Sequence, residues 1–408
     1  MPIKMLTLED LELEGKRVFL RVDINTPIHP ETGRLIEHTR LEEAGLTIRD
    51  LGTSRVVVAS HQGRVGRSDY TGLESHAKAL EDILGSEVKF VPDVFGPTAL
   101  GEIDSLRPGE VLLLDNLRFT AEENVEYKSE DAEKTHLVRR LREHIDACVL
   151  DAFSTAHRAS PTIVGFAGLV PTCAGRTVGR ELRMLDRIVS VEKGPYVTVL
   201  GGAKVSDRLE AIDALVANKR ADKVLLCGVV GLVFLKAAGK LRGELGLEGE
   251  QKYLLKARQL LDEDPERFAM PIDVAIKVDG ARKEVDVRDL GGQVMALDIG
   301  AKTVEKYERF IKGAGTVFMS GPPGAFEWEE FSFGTEHLLR AMASSLATTI
   351  ISGGHLSSAL RKYSIHDQID HISTAGGALV QYLAGKRLPL IDALERSADK
   401  WGGGNPLR

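Results

Sequence analysis

The stretch that decides the fold is Val197-Thr-Val-Leu-Gly-Gly-Ala-Lys204. A short, unbroken apolar and β-branched run ends in two glycines. The residues that follow put Val205, Leu209, Ile212 and Val216 on one helical face. A strand apolar on both faces, a glycine turn and an amphipathic helix form one unit of a parallel sheet covered by helices. The same unit recurs outward in both directions. Val18–Val22, Val56–Ala59, Val88–Val91, Val111–Leu114 and Cys148–Leu150 read as strands in the first half. Val224–Leu226, Val274–Ile276, Val294–Leu297, Thr316–Phe318 and Thr348–Ile351 read as strands in the second. Leu41, Ala44, Ile48 and Leu51 mark another one-sided helix. The class is therefore α/β, expected as two doubly wound, Rossmann-like parallel-sheet lobes.

The pattern breaks at Pro171-Thr-Cys-Ala-Gly175. Helical spacing then runs over Thr177–Val189, through Val178, Leu182, Leu185, Ile188 and Val189. A long helix midway between two strand series reads as a connector. The expected organisation is a domain at 1–170, a hinge helix at 171–190, and a second domain at 191–390. A C-terminal segment at 391–408 is expected to pack back near the first lobe and to end in a loose Gly-Gly-Gly-Asn-Pro tail after Trp401.

Composition narrows the class of function. The 408 residues correspond to two large or three small domains. Hydrophobic residues are 43 % and charged residues 28 %, which excludes a disordered, collagenous or coiled-coil chain. A net charge of −7 argues against a general nucleic-acid or anionic-membrane binder. Cys148, Cys173 and Cys227 are odd in number and share no CxxC, so they read as buried thiols in a reducing compartment. Glu9, Asp10, Glu12 and Glu14 leave no secretory signal. The longest stretch without Asp, Glu, Lys or Arg, 341–360, is too polar to span a bilayer. A cytoplasmic protein is expected, monomeric or else a homodimer, with small-molecule partners only.

The usual nucleotide signatures are missing: no GK pair is followed by Ser or Thr, and no GxGxxG opens a helix. Other glycine turns crowd the second half, at Gly201-Gly202-Ala203-Lys204, Gly321-Pro-Pro-Gly324, Gly353-Gly354 and Ser373-Thr-Ala-Gly376-Gly377. Helix N-termini beside such turns suit phosphates. The first half instead supplies arginines at strand ends. Arg21 lies beside Asp23 and Asn25, Arg64 follows His61, Arg118 follows Asp115-Asn116, Arg158 follows Asp151, and Arg40 starts a helix. Guanidinium forks match phosphate and carboxylate oxygens. One half thus suits a small, multiply charged acid and the other a nucleotide, as in a hinge-closing phosphotransferase.

At these residues the chain resembles phosphoglycerate kinase, in its archaeal variant. The resemblance runs in order through Arg21-Val-Asp-Ile-Asn-Thr-Pro27, Ser60-His-Gln-Gly-Arg64, Leu114-Asp-Asn-Leu-Arg-Phe119 and Asp151-Ala-Phe-Ser-Thr-Ala-His-Arg158. It continues through Gly201-Gly-Ala-Lys-Val-Ser-Asp207, Leu297-Asp-Ile-Gly300, Gly321-Pro-Pro-Gly-Ala-Phe-Glu327 and Ser373-Thr-Ala-Gly-Gly377. It implies reversible phosphorylation of the 3-phosphoglycerate carboxylate by ATP with magnesium, giving 1,3-bisphosphoglycerate and ADP in glycolysis and gluconeogenesis. It further implies that the first domain binds 3-phosphoglycerate through Arg21, Asp23, Asn25, Arg40, His61, Arg64, Arg118 and Arg158. The second domain would bind the nucleotide through Gly202, Ala203, Lys204, Arg208, Gly321, Glu327, Gly353, Gly354, His355 and Leu356. Arg40 and Lys204 would be catalytic, acting by charge stabilisation after hinge closure, without a general base.

The chain departs from the common pattern at Arg208, where Lys is usual, at Cys227-Gly228-Val229, where a three-glycine turn is usual, and at Ser320, where Asn is usual. Gly353-Gly354-His355-Leu356 replaces Gly-Gly-Asp-Thr, which removes the carboxylate expected near magnesium; the metal ligands are left unassigned. His355 reads either as phosphate-proximal or as a plain turn residue. Asp298 reads either as near the nucleotide or as the cap of the next turn. Two competing functions stay open at this stage: a non-catalytic two-lobe binding protein, and a kinase for another phosphorylated acid.

Overall fold

The computed structural model describes residues 3–29, 32–190, 194–217, 221–290, 296–373, 375–383 and 385–402. It divides into two units, Met1–Asp186 with Arg387–Arg408, and Arg187–Lys386. The C-terminal tail after Gly402, and Val294 and Thr374 among the residues singled out above, lie outside the described residues.

In the first unit the strands are β1 (Arg17–Val22), β2 (Arg55–Ala59), β3 (Val88–Val91), β4 (Val111–Leu114), β5 (Ala147–Asp151) and β6 (Thr172–Ala174). They form a six-stranded sheet in the order β3-β4-β2-β1-β5-β6, with every pairing parallel. Both faces are buried, as the unbroken apolar runs demand. On one face Leu20, Val22, Val56 and Val58 pack against Leu41, Ala44 and Ile48 of the helix Thr39–Asp50 and Ala77 and Leu80 of the helix Glu74–Leu84. On the other, the Phe19 ring lies 4.9 Å from that of Phe166. Full burial of such side chains contributes about 1.5–3 kcal/mol each. The chain leaves β1 to one side for β2 and later to the other for β5. The carboxyl ends of β1 and β5 therefore form the crevice where ligands of open α/β sheets sit.

Of the hinge helix expected at 171–190, only Arg176–Ser190 is helical, because Thr172–Ala174 pairs with β5 as the edge strand β6. The first turn of the helix is held by Asp151, at the end of β5, which accepts from Val178 N at 2.9 Å, and by Thr47 Oγ1, which accepts from Arg176 N at 3.0 Å and donates to Asp151. The C-terminal helix Pro389–Trp401 packs on the first unit. Ser397 Oγ accepts from Thr172 N at 2.8 Å, and Trp401 Nε1 donates to Ala167 O at 3.2 Å.

The second unit contains β7 (Tyr196–Leu200), β8 (Lys223–Leu226), β9 (Phe268–Ala269), β10 (Asp273–Val278), β11 (Ala281–Asp286), β12 (Ala296–Ile299), β13 (Thr316–Ser320), β14 (Thr348–Ser352) and β15 (His371–Ser373). Six of them build a parallel sheet in the order β15-β14-β13-β7-β8-β9, reversing between β7 and β13. The runs at Val274–Ile276 and Val294–Leu297 were expected in that sheet. Val274–Ile276 lies instead in β10, and the second run, described only from Ala296, in β12, both in a separate antiparallel sheet, β11-β10-β12. The cause is local: Asp279 and Gly280, with φ of 48° and 83°, turn β10 straight back into β11, and Asp-Gly is a strong hairpin signal. The three cysteines are free and buried. No described helix is long and apolar enough to cross a membrane.

Candidate active site

Four neighbouring strands of the first sheet, β4, β2, β1 and β5, end on one edge. They deliver Arg118, then His61 and Arg64, then Arg21, Asp23 and Asn25, then Ser154 and Arg158. Arg40 joins them from the first turn of the helix Thr39–Asp50. Asp23 sits at the centre. Its Oδ2 accepts from Arg40 Nη1 and from Ser154 Oγ, and its Oδ1 accepts from Asn25 N at 3.1 Å. Burial is the largest influence on Asp23 and pushes its carboxyl up. Arg40, His61, the Ser154 hydroxyl and the Asn25 N–H together outweigh it and hold the group below the ordinary carboxylate range.

The cations crowd one another. Arg118 is pushed down to about 10, by burial first and then by Arg158, Arg21 and Arg64, with Asp23 opposing. His61 falls well below its ordinary value. Burial is the main reason, opposed by Asp23 and reinforced by Arg21, Arg118 and Arg40. The carboxylates in reach, Asp23 and Glu123, are fewer than the guanidiniums, which leaves an excess of positive charge that an anion would relieve. Arg64 is exposed and Arg158 half-buried. Arg21 is only 2 % exposed and faces inward. Its Nε donates to Thr162 Oγ1 at 3.0 Å and its Nη1 to Val22 O, while Nη2 lies 3.3 Å from His61 Nδ1 and 3.8 Å from Glu123 Oε1. What Arg21 offers the pocket is charge and support for His61, with no open fork.

In the second unit, the turns after β7, β8 and β13 rest backbone on backbone. Gly201 N donates to Ser320 O at 3.0 Å, Gly202 N to Pro322 O at 2.9 Å, and Val229 N to Gly202 O at 3.2 Å. A Cβ on Gly321, where φ is +78°, would lie 2.3 Å from Gly201 O. One on Gly228, where φ is +57°, would lie 2.6 Å from Gly202 N. Cys227-Gly228-Val229 thus keeps its glycine at the position where a side chain would collide. Arg208 braces the same turns through Nε to Gly201 O at 3.1 Å and Nη1 to Ser320 Oγ at 2.9 Å. Two departures from the family pattern, at 208 and 320, are therefore hydrogen-bonded to each other.

Ala203 and Lys204 stand exposed where the helix Val205–Ala217 begins, and Glu327 is exposed. Gly354 and His355 are exposed at the start of the helix Gly354–Lys362, with the His355 ring 6.4 Å from that of Phe326. Leu356 differs from expectation. Its side chain is 0 % exposed, in the core with Ile351, Ala359 and Leu360, so only its backbone could meet a nucleotide. Asp298 does not cap the turn that follows it, a role that Asp273 takes by accepting from Lys302 N and Thr303 N. Asp298 accepts from Arg282 Nη1 at 2.8 Å and from the N–H groups of Gly334 and Ile299 at 2.9 Å each. Burial pushes its carboxyl up to about 6 against those bonds. Among the described residues, no cluster of three or more His, Cys, Asp or Glu is set to hold a metal ion.

Sequence reasoning missed three supports. Ser154 and Gln62 lay inside motifs quoted above without a role. Gln62 is fully buried and ties the strand ends together, taking Thr26 N at 3.0 Å on Oε1 and giving Nε2 to Thr26 O at 2.9 Å. Glu123 had no local signal. It accepts from Ser160 Oγ and from Thr162 N and Oγ1 opposite Arg21.

Residues 8–386 match the family model for phosphoglycerate kinase. The chain is 42 % identical over 401 residues to the phosphoglycerate kinase of Methanothermobacter thermautotrophicus, covering 97 % of each. It is 41 % identical over 410 residues to that of Thermococcus kodakarensis, covering 97 % of this chain and 98 % of the relative. The crystal structure of phosphoglycerate kinase from Pyrococcus horikoshii superposes with a TM-score of 0.88 at 39 % identity, over 97 % of this chain and all of that one. The phosphoglycerate kinase structure from Coxiella burnetii gives 0.76 at 31 % identity, over 96 % and 98 %.

Proposed function

The chain belongs to the phosphoglycerate kinase family, and from that premise we propose how its own residues carry out the reaction. The activity is reversible transfer of the ATP γ-phosphoryl group to the carboxylate of 3-phospho-D-glycerate, giving 1,3-bisphosphoglycerate and ADP, a step of glycolysis. The acceptor is a carboxylate with a pKa of ~3.5, already ionised at pH 7, so no general base is needed. Catalysis then rests on alignment and on stabilising charge around an in-line phosphoryl group.

In this reading the first unit holds the acid. Arg64, Arg118 and Arg158, with His61 and the buried charge of Arg21, take its phosphate, and Asp23 and Asn25 take the glycerate end. Arg40 steadies the reacting carboxylate and the moving phosphoryl group. The second unit holds the nucleotide. The backbone of Gly202, Ala203 and Gly321 and the N-terminus at Gly353, Gly354, His355 and Leu356 run along its phosphates. Arg208 braces the turn, Lys204 faces the transferring group, and Glu327 accepts from the ribose hydroxyls. Magnesium bound with ATP would neutralise phosphate charge. With His355 where a carboxylate is usual, phosphate oxygens and water brought by the nucleotide would supply its ligands. Hinge closure completes the mechanism, and a scattering curve unchanged by both substrates together would count against it.

The observation that supports this reading most is the convergence of Arg64, Arg118 and Arg158 on one sheet edge, where burial first, and then Arg158 and Arg64, lower the basicity of Arg118. The test is a coupled assay for ADP and acyl phosphate with magnesium ATP and 3-phosphoglycerate. Arg64→Ala and Arg158→Ala are expected to raise KM for 3-phosphoglycerate at least tenfold and leave KM for ATP unchanged. An unchanged KM for the acid in both variants would remove the assignment.

A further inference from the structure

We propose that Ser154 is a positioning residue for phosphoryl transfer: its hydroxyl keeps the Asp23 carboxylate bonded while Arg40 leaves it for the reacting groups. The inference rests on the reading that Arg40 stabilises the moving phosphoryl group.

Arg40 Nη1 and Ser154 Oγ donate to the same oxygen, Asp23 Oδ2. The Asp23 side chain is 8 % exposed and that of Arg40 31 %. Arg40 therefore has room to swing outward, whereas Asp23 sits in the sheet edge with little access to water. A buried carboxylate stripped of its ion-pair partner is costly, and each remaining donor lowers the cost of the partner's departure. Two donors remain: Asn25 N on Oδ1 at 3.1 Å, and the Ser154 hydroxyl on the oxygen that Arg40 vacates.

The other groups facing Asp23 are charged or titratable: Arg40 from its helix, His61 after β2, Arg21 on β1 and Arg118 after β4. An arriving anion attracts every cation among them. The serine hydroxyl carries no charge, so it is not drawn away, and it stays on Asp23 while Arg40 turns to the substrate. Its place is fixed by the short turn Phe153–Thr155, in which Thr155 N donates to Ala152 O at 3.1 Å and Arg158 N to Thr155 O at 2.9 Å.

The test compares Ser154→Ala, Ser154→Thr, Arg40→Ala and the double variant Arg40→Ala/Ser154→Ala, each with kcat, KM, a kcat–pH profile and a melting curve. Ser154→Ala is expected to lower kcat about tenfold, the scale of one hydrogen bond to a charged group. KM for 3-phosphoglycerate should stay within about twofold, because the phosphate pocket is untouched. The acid limb of the profile should move to higher pH, since Asp23 loses a donor to its ionised form. Ser154→Thr, which keeps the hydroxyl, should recover most of the loss. In the Arg40→Ala background Ser154→Ala should cost less than about twofold more, because the two act through one carboxylate. Three results would overturn the proposal: Ser154→Ala with unchanged kcat and acid limb, equal losses in Ser154→Ala and Ser154→Thr, or full additivity in the double variant. If Arg40→Ala itself retains full turnover, the underlying reading of Arg40 fails, and the role of Ser154 falls with it.

Discussion

Replacing Asp151 with Asn should change how the stability of the first unit depends on pH, by an amount that follows from the site. Asp151 is 5 % exposed at the end of β5. Burial pushes its carboxyl from the ordinary 3.8 up to about 6, against the Thr47 hydroxyl and the Val178 and Thr177 N–H groups, with Glu43 adding to the rise. Between pH 3.8 and 6 the folded chain holds a proton that the unfolded chain has released, so raising the pH destabilises the fold. The stability is fully present below about pH 4 and is lost as the pH passes about 6. A rise of about two pKa units, at ~1.4 kcal/mol each, amounts to about 3 kcal/mol. The amide that Asp151→Asn introduces cannot titrate. The free energy of unfolding of the parent minus that of Asp151→Asn should therefore fall by about 3 kcal/mol from pH 4 to 7 and then level off. Asp298, whose carboxyl also rises to about 6, is present in both proteins and cancels. The chain has two tryptophans, Trp328 and Trp401, and Trp401 packs against the first unit's core. Urea unfolding followed by tryptophan fluorescence in a Trp328→Phe background thus reports on that unit. Any change in hydrogen bonding gives a constant offset and leaves the slope alone. A difference that is flat within about 0.5 kcal/mol over this range, or that grows with pH, would refute the reasoning.

Three further outcomes are expected. Lys204→Ala should fold normally and lose ~10²–10³ in kcat, by analogy with removal of a donor to transition-state charge, and a folded variant with parental turnover in the coupled assay would exclude the role. Glu123→Ala should destabilise the first unit by about 3–5 kcal/mol in the same urea experiment, because it leaves Arg21 buried without its carboxylate; a loss below about 1 kcal/mol would contradict the pairing. Gly321→Ala should destabilise the second unit by at least about 1–2 kcal/mol from the left-handed backbone alone and raise KM for ATP while sparing that for 3-phosphoglycerate; equal changes in both KM values would place the turn elsewhere.

Much of the fold and part of the site were legible in the chain because they rest on short-range pattern. Val197–Leu200 followed by two glycines can bury both faces only in a covered parallel sheet, and the periodicity of Leu41, Ala44, Ile48 and Leu51 allows only one inward face. Polar and cationic residues placed directly after such strands land on the carboxyl edge wherever the sheet is built. Contacts between distant segments were not legible. Which strands are neighbours decides that Arg118, His61, Asp23 and Ser154 share an edge. Asp298 is buried by Arg282 and by Gly334, at the start of the helix Phe333–Ala343, and Leu356 lies in the core on the inward face of the helix that begins at Gly354. Sequence could mark Arg21 and Arg64 as equally good anion binders. Only the tertiary structure separates them, because Glu123 and Thr162 reach Arg21 from far along the chain and leave Arg64 to the solvent. Local propensity is written in consecutive residues, whereas burial and charge pairing depend on neighbours that only folding brings into place.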